Sequence, residues 1–254
     1  MGSPGFDRVI LVALLCGFSC PSATADVTAA VAANFAAPMK SIAAAFEQQT
    51  GHKVSIALGA SGQFYAQIRQ GAPFDVLLSA DAEIPRKLEE ENLAERGTRF
   101  TYAVGRLALW SKDPQLVDSK GLVLGSDRYQ KLAIANAKLA PYGAAAREAL
   151  QNLGLEGRLE SRLVQGMNIS QTFQFVSSGN ANLGFVAWSQ VFNDGKLISG
   201  SAWLVPEMLH SPIQQDAVLL KSAARNPAAR ALLNYLQSEH AREIISSYGY
   251  SHAP

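Results

Sequence analysis

The chain has 254 residues, and its 22 basic and 21 acidic side chains leave a formal net charge of +1. This balance excludes the basic surface with which proteins attract nucleic acids or anionic membranes, so we expect neither as a partner. The two cysteines are Cys16 and Cys20, so the remainder must fold without a disulfide, which a core of this size permits.

The N-terminal region has the pattern of a secretory signal peptide. Arg8 precedes an apolar segment at residues 9–18, and the small residues Ala23-Thr24-Ala25 follow. The apolar segment is too short to be a stable membrane anchor. We therefore expect a cleavable signal peptide at residues 1–25 and an exported protein. A lipoprotein signal ending at Cys20 is the alternative, although the preceding residues lack the expected small-residue motif.

After residue 26, short apolar runs alternate with helical patterns, as is typical of α/β proteins. Predicted strands cover residues 27–32, 53–58, 74–78, 100–111, 132–135, 163–164, 183–188 and 214–220. Predicted helices cover residues 35–48, 63–70, 84–92, 144–153, 171–177, 227–237 and 239–248.

Two predicted strands, at residues 100–111 and 214–220, bracket a self-contained α/β pattern. This arrangement predicts two lobes joined by two crossing segments. Lobe 1 is expected at residues 26–106 and 216–254, and lobe 2 at residues 107–215.

Four predicted strands end in a short corner that opens a helix. The corners contain Asn34, Ser61, Tyr142 and Ser170. Ligands of open α/β sheets bind outside the carboxyl ends of the strands. Helix N-termini there present unsatisfied N–H groups and the positive end of the helix dipole. Each corner alone is explained by ordinary capping, with Ser61 as an N-cap, but four together favour a binding cleft between the lobes.

The side chains at these corners are neutral hydrogen-bond donors, and none is a carboxylate. A fully ionised tetrahedral oxyanion has only acceptors, so such a site suits it. Phosphate at neutral pH carries a proton and would be helped by a carboxylate acceptor. The corners therefore predict a site for a small, fully ionised oxyanion.

Five segments resemble the periplasmic molybdate-binding proteins of ABC transporters: VAANF, GASGQFYAQIRQGAPFDVLLSAD, RFTYAVGRLALWS, APYG and LGFVAWSQ. The resemblance runs from about Asp26 to the last residue. It implies the two-lobed class II periplasmic binding protein fold with two crossing hinge strands. It also implies binding of molybdate, and of tungstate, followed by delivery to a permease with its ATPase. Molybdenum would be bound only as the oxyanion, without direct protein ligands or a cofactor, and we expect a monomer.

The resemblance also implies which residues bind the anion. Asn34 falls on the first position, and Ala33 before it offers only its N–H, where relatives often have Thr. The remaining anion-binding positions of the family correspond to the hydroxyl and N–H of Ser61 and to the N–H groups of Tyr142 and Ile169. Many relatives add a tyrosine hydroxyl where this chain has Ala187, so we expect the Tyr142 hydroxyl to replace it. The hinge is expected near residues 104–107 and 214–217.

Two other functions are consistent with parts of the sequence. A serine hydrolase would use Ser61 as nucleophile, but Gln63 breaks the G-x-S-x-G pattern. The four histidines read as solvated loop residues rather than catalytic bases: His52, His210, His240 and His252. A binding protein for sulfate or another small oxyanion would share the neutral donors, because sulfate presents the same charge and acceptors. Pocket size, which the sequence does not reveal, separates that alternative from molybdate.

Overall fold

The computed structural model describes residues 1–2 and 27–251. The predicted cleavage site after Ala25 therefore lies outside the described residues. The strands are β1 Val27–Ala32, β2 Val54–Gly59, β3 Val76–Leu78, β4 Phe100–Gly105, β5 Leu107–Ser111, β6 Leu132–Ala135, β7 Leu163–Gly166, β8 Leu183–Ala187, β9 Phe192–Asn193, β10 Lys196–Leu197, β11 Ser201–Leu204 and β12 Ile213–Leu219. The helices are α1 Ala36–Thr50, α2 Ser61–Arg69, α3 Glu83–Glu90, α4 Pro141–Asn152, α5 Glu156–Leu159, α6 Ile169–Ser177, α7 Pro227–Leu236 and α8 Glu239–Ser247.

The strands form two five-stranded mixed sheets and a small hairpin of β9 and β10. The first sheet has the order β2-β1-β3-β12-β4, and the second β11-β5-β8-β6-β7. Parallel pairs join β1 to β2 and β3, and β6 to β7 and β8. In contrast, β12 runs antiparallel to β3 and β4, and β5 runs antiparallel to β8 and β11. The α/β class predicted from the alternating pattern is confirmed.

Each sheet is covered by apolar side chains on both faces. Along β1, Val27, Ala29 and Val31 join the core under α1, α7 and α8, whereas Ala30 joins the core under α2 and α3. This alternation follows from the period of two residues in a strand. In α1, residues Met39, Ile42 and Phe46 are almost fully buried, as the predicted helical spacing requires. Opposite faces of the second sheet pack against α4 and α6.

The chain crosses between the sheets at Arg106. The predicted strand 100–111 is in fact two strands, because β4 pairs with β12 in the first sheet while β5 pairs with β8 and β11 in the second. The return crossing precedes β12, which begins by pairing Ile213 with Gly105. The lobe boundaries stay a prediction. The predicted boundary between residues 106 and 107 lies at this change of sheet. The predicted boundary between residues 215 and 216 lies within β12, just after its start at Ile213.

Several short elements were not predicted. They are β9, β10, β11 and α5, none of which exceeds four residues. Elements this short do not show a clear hydrophobic period. Helices α4 and α6 begin at Pro141 and Ile169, earlier than the apolar pattern indicated. None of the helices within the described residues is long and apolar enough to cross a membrane.

Gly105 provides a test of the crossing. A Cβ added there would lie 2.2 Å from the Tyr142 hydroxyl and 2.5 Å from Nε2 of Gln215. We expect Gly105→Ala to lower the free energy of unfolding by about 1–3 kcal/mol, because both buried side chains must move. Urea denaturation measures the change.

The matched control is Gly157→Ala in α5, where an added Cβ has no atom within 4 Å. This exposed helical position should become slightly more stable, since alanine loses less backbone entropy than glycine. Equal stability of the parent and Gly105→Ala would contradict the tight contact at the crossing.

Candidate binding site

The four strand-to-helix corners surround one small cavity. The space that the centre of a water molecule can occupy there is about 10 Å³. Its walls are Ala32, Ala33, Asn34, Gly59, Ala60, Ala80, Ala140, Pro141, Tyr142, Asn168 and Ile169. Room on this scale is about that of one water molecule. The cavity joins the carboxyl ends of strands from both sheets, as the sequence predicted for the cleft.

The walls carry no charge. No Asp, Glu, Lys, Arg or His is among the described residues that line the cavity. The nearest carboxylate in sequence is Asp81, which accepts from the Ile84 N–H at 2.7 Å and the Ser79 hydroxyl at 3.3 Å. Burial raises the pKa of Asp81. Any ligand in the cavity must therefore be held by dipoles and hydrogen bonds.

Helices α4 and α6 both begin at the cavity, since Tyr142 and Ile169 are among its walls. Pro141 occupies the first position of α4 and has no N–H, so Tyr142 carries the first donor of that helix. At α6, the Asn168 side chain caps the helix by accepting from the Gln171 N–H at 3.0 Å. Ile169, at the first position, has no partner within the helix by helical geometry.

The corner before α2 also contacts the part of the chain that precedes α4. The Gly62 N–H donates to the Leu139 carbonyl at 3.0 Å, across the two sheets. Ala60 is the N-cap of α2 and Ser61 the first helical residue, so the N-cap role expected for Ser61 is wrong. Its hydroxyl oxygen instead accepts from the Ala80 N–H at 2.9 Å.

Ser61 does not itself appear among the cavity walls, although its neighbours Ala60 and Ala80 do. A serine hydroxyl has one proton and two lone pairs. The bond from Ala80 uses a lone pair, so the hydroxyl proton of this almost fully buried side chain is left for another acceptor.

Asn34 lines the cavity, but its side-chain amide already has protein partners. The Nδ2 group donates to Oε1 of Gln215 at 2.8 Å and to the Tyr250 hydroxyl at 3.0 Å. A side-chain amide has two N–H donors, so both are used. Asn34 can then offer a ligand only its backbone N–H, which differs from the side-chain donor expected from the sequence.

A buried polar layer lies behind the cavity, centred on Gln215. Its Oε1 accepts from Asn34 and from the Tyr102 hydroxyl at 3.0 Å, and its Nε2 donates to the Tyr142 hydroxyl at 3.2 Å. Gln215 lies in β12 at a shift in strand register and is fully buried. The Tyr142 hydroxyl thus belongs to this layer, and its predicted contact with a ligand stays a prediction.

The layer includes Ser189 and Tyr250, which sequence reasoning missed. The hydroxyls of both lie 2.9 Å from the Asn34 carbonyl oxygen and 3.0 Å from each other. Ser189 lies in the LGFVAWSQ segment, so a search of that segment for hydroxyls could have found it. Tyr250 is remote in sequence from every corner, and no local pattern marks it.

The tyrosines of the layer remain neutral donors and acceptors. Burial raises the pKa of Tyr250 to about 12. Burial also raises the pKa of Tyr102 and of Tyr142 well above the ordinary tyrosine value. The layer behind the cavity therefore contributes no negative charge at neutral pH.

A wider groove of about 510 Å³ adjoins the cavity and shares Ala80, Ala140 and Pro141 with it. Its walls carry both signs of charge, including Asp81, Glu83, Lys87, Lys138 and Glu148. We place the site in the cavity rather than the groove, because only the cavity is lined by all four corners.

A nucleophilic role for Ser61 has no support in the geometry. Its hydroxyl is bonded to a backbone N–H, and within residues 27–251 no histidine forms a hydrogen bond with it. His210 is buried, so the solvated position expected for it is wrong. Its Nδ1 lies 2.8 Å from the Ser211 carbonyl oxygen. No group of three or more potential metal ligands occurs among the described residues.

Residues 27–251 match the family model of bacterial extracellular solute-binding proteins. The chain belongs to this family. Its members bind solutes for transport, so the protein is a binding protein and not an enzyme.

Two relatives are the molybdate-binding proteins ModA of Azotobacter vinelandii and Rhodobacter capsulatus. The first is 54% identical over 95% of this chain and 96% of its own length, and the second 55% identical over 94% and 93%. The solved structure of an Azotobacter vinelandii periplasmic molybdate-binding protein is 39% identical, with a TM-score of 0.88, and the match covers 90% of this chain and 100% of that one. The resemblance read from the sequence and the two-lobed periplasmic binding protein fold are confirmed.

The sulfate-binding protein SubI of Mycobacterium tuberculosis is also similar in structure. Its TM-score is 0.67 at 12% identity, and the match covers 89% of this chain and 86% of that protein. At this identity the similarity concerns the fold alone.

The buried tyrosines predict the alkaline limit of stability. Below about pH 10 the phenols are protonated in both the folded and the unfolded chain. Above about pH 10 a phenol ionises in the unfolded chain but not in the folded protein, until the pH reaches the raised pKa of the folded state. The free energy of unfolding should therefore fall as pH rises through this range. Each phenol should contribute about 1.4 kcal/mol per pH unit. Urea denaturation between pH 9 and pH 12 measures this fall.

Tyr250→Phe is the control for the alkaline series, since it removes one raised pKa and keeps the ring. Its stability should fall less steeply than that of the parent between pH 10 and its folded value of about 12. Identical slopes would show that Tyr250 ionises as freely in the folded protein as in the unfolded chain.

Proposed function

We propose that the protein binds molybdate in the neutral cavity and delivers it from the periplasm to an ABC transporter composed of a permease and its ATPase. Tungstate, with the same charge and nearly the same size, is a second ligand. The observation that carries the proposal is the convergence of four corners on one cavity without a charged wall. The names of relatives with more than half of their residues identical over nearly the whole chain support molybdate as the ligand.

In the proposed complex, backbone N–H groups bind most of the anion. The donors are those of Ala33, Asn34, Ser61, Tyr142 and Ile169, joined by the Ser61 hydroxyl. Each lies at or beside a helix start, where N–H groups lack intrahelical partners and the dipole favours negative charge. Hydrogen bonds to a charged group are each worth roughly 1.5–3 kcal/mol. After the cost of association, this set supports affinity roughly in the micromolar to nanomolar range.

Binding would join the two lobes, because Asn34 and Ser61 follow strands of the first sheet while Tyr142 and Ile169 follow strands of the second. A ligand shifts a conformational equilibrium only when it interacts differently with the two states. Donors divided between the sheets provide that difference, since a separated arrangement cannot offer all of them at once.

Size decides between molybdate and sulfate in this proposal. Both are tetrahedral dianions with acceptors only, and Mo–O bonds are longer than S–O bonds. A site of fixed donors around a small cavity distinguishes them by distance alone. The deciding experiment is calorimetric titration of the protein with molybdate, tungstate, sulfate and phosphate. Preferential binding of sulfate would favour the alternative sulfate-binding function, and no binding of any oxyanion would refute the proposal.

Replacement of Ser61 by alanine tests the donor set. Ser61→Ala removes one hydroxyl donor and leaves an anion oxygen without that partner. We expect molybdate affinity to fall by about 1.5–3 kcal/mol, or roughly 10- to 150-fold, by calorimetry. Ser177→Ala, at a half-buried site on α6 where the hydroxyl donates to the Gln174 carbonyl of its own helix, is the control and should bind like the parent. Unchanged affinity of Ser61→Ala would remove this hydroxyl from the site.

The absence of charged walls predicts the response to salt. Buried dipoles are screened far less than exposed charges. Molybdate affinity should therefore change only modestly between low and high concentrations of sodium chloride, measured by the same titration. A steep loss of affinity would indicate an exposed arginine or lysine site such as the neighbouring groove.

A further inference from the structure

We propose that Tyr250 is a positioning residue of the binding site: its hydroxyl holds Asn34 in place and connects it to Ser189 beside the second sheet. This inference rests on the proposed function for its effect on binding. The contact itself is a property of the protein without ligand.

The hydroxyl of Tyr250 is shared between one residue of the cavity wall and one residue beyond it. It donates to the Asn34 carbonyl at 2.9 Å, accepts from Nδ2 of Asn34 at 3.0 Å, and lies 3.0 Å from the Ser189 hydroxyl. Both ends of Asn34, its backbone carbonyl and its side chain, are therefore bonded to the same phenol. Rotation of Asn34 would break both bonds to Tyr250, together with those that Asn34 forms with Gln215 and Ser189, in a buried environment.

The backbone around Tyr250 is anchored at the crossing. Ser251 forms two backbone hydrogen bonds with Val104 in β4, at 2.9 and 3.0 Å. The Tyr250 ring packs edge-on against Phe35, with centroids 5.5 Å apart. The hydroxyl is thus held from two sides, so it can fix the position of Asn34 rather than follow it.

The same segment contacts the chain that follows β8. The Asp194 N–H donates to the Ser247 carbonyl at 2.9 Å. At Gly249, with φ of +78°, an added Cβ would lie 2.6 Å from Trp188 and 2.8 Å from Phe192. Residues 247–251 therefore lie between the first sheet and residues 188–194, and Tyr250 is the member whose hydroxyl reaches the cavity wall.

The test compares Tyr250→Phe with Tyr248→Phe. Both changes remove one phenolic hydroxyl and keep the ring. The Tyr248 hydroxyl lies 3.2 Å from the Ser41 hydroxyl, and neither residue lines the cavity. Tyr248→Phe controls for the loss of a phenolic hydroxyl from this segment, and the positioning role predicts changes at Asn34 only in Tyr250→Phe.

The first measurement needs no ligand. Amide hydrogen exchange of the Asn34 side chain is followed by NMR, with its signals identified by their loss in Asn34→Ser. We expect protected Nδ2 hydrogens in the parent and in Tyr248→Phe, and faster exchange with shifted signals in Tyr250→Phe. Unchanged Asn34 signals in Tyr250→Phe would overturn the positioning role, whatever the protein binds.

The second measurement is molybdate titration by calorimetry. We expect roughly tenfold weaker binding by Tyr250→Phe and parental binding by Tyr248→Phe. The loss should not add to that of Asn34→Ser, because both changes act through Asn34, but should add to that of Ser61→Ala at a separate corner. Parental affinity in Tyr250→Phe, or full additivity with Asn34→Ser, would overturn the inference. A parent that binds no oxyanion would refute the proposed function, and the exchange measurement would still decide the role of Tyr250.

Discussion

The structure depends on bringing helix N-termini from two separate sheets to one uncharged cavity. Parallel strands within each sheet deliver their carboxyl ends, and the following helices, to the same edge. The chain crosses between the sheets at Arg106 and again before Ile213, so the two edges face each other. A buried charge without a paired countercharge is costly unless hydrogen bonds replace its water. N–H groups at helix starts are the donors for which the fold has no other use.

The polar layer behind the cavity determines how rigidly those donors are held. Gln215, Asn34 and the buried tyrosines satisfy one another, and buried networks specify a single arrangement when every member has a partner. Because Gln215 lies in β12 and the Tyr142 hydroxyl contacts Gly105, the layer also joins the cavity to both crossing strands. Side chains that position the donors are therefore the same ones that pack the crossing.

The two-lobed fold and the identity of the bound oxyanion are separate properties. A sulfate-binding protein at 12% identity shares the fold, so the two-lobed architecture does not choose the oxyanion. Relatives above 50% identity carry the name of molybdate-binding proteins.

The sequence by itself determined the α/β class, the four corners and their neutral character, because hydrophobic period, turn residues and side-chain chemistry are local properties. Four of the five predicted site residues, Ala33, Asn34, Tyr142 and Ile169, do line one cavity. Tertiary structure alone decided which atoms are free to bind. The sequence indicated the Asn34 amide as a donor, but both of its N–H groups donate to residues more than 180 positions away. The Tyr142 hydroxyl accepts from Gln215, 73 positions away, and its contact with a ligand stays a prediction. Tyr250, which bonds Asn34, lies 216 positions away from it in the sequence. Hydrogen bonds in a folded core depend on proximity in space and leave no periodic pattern along the chain.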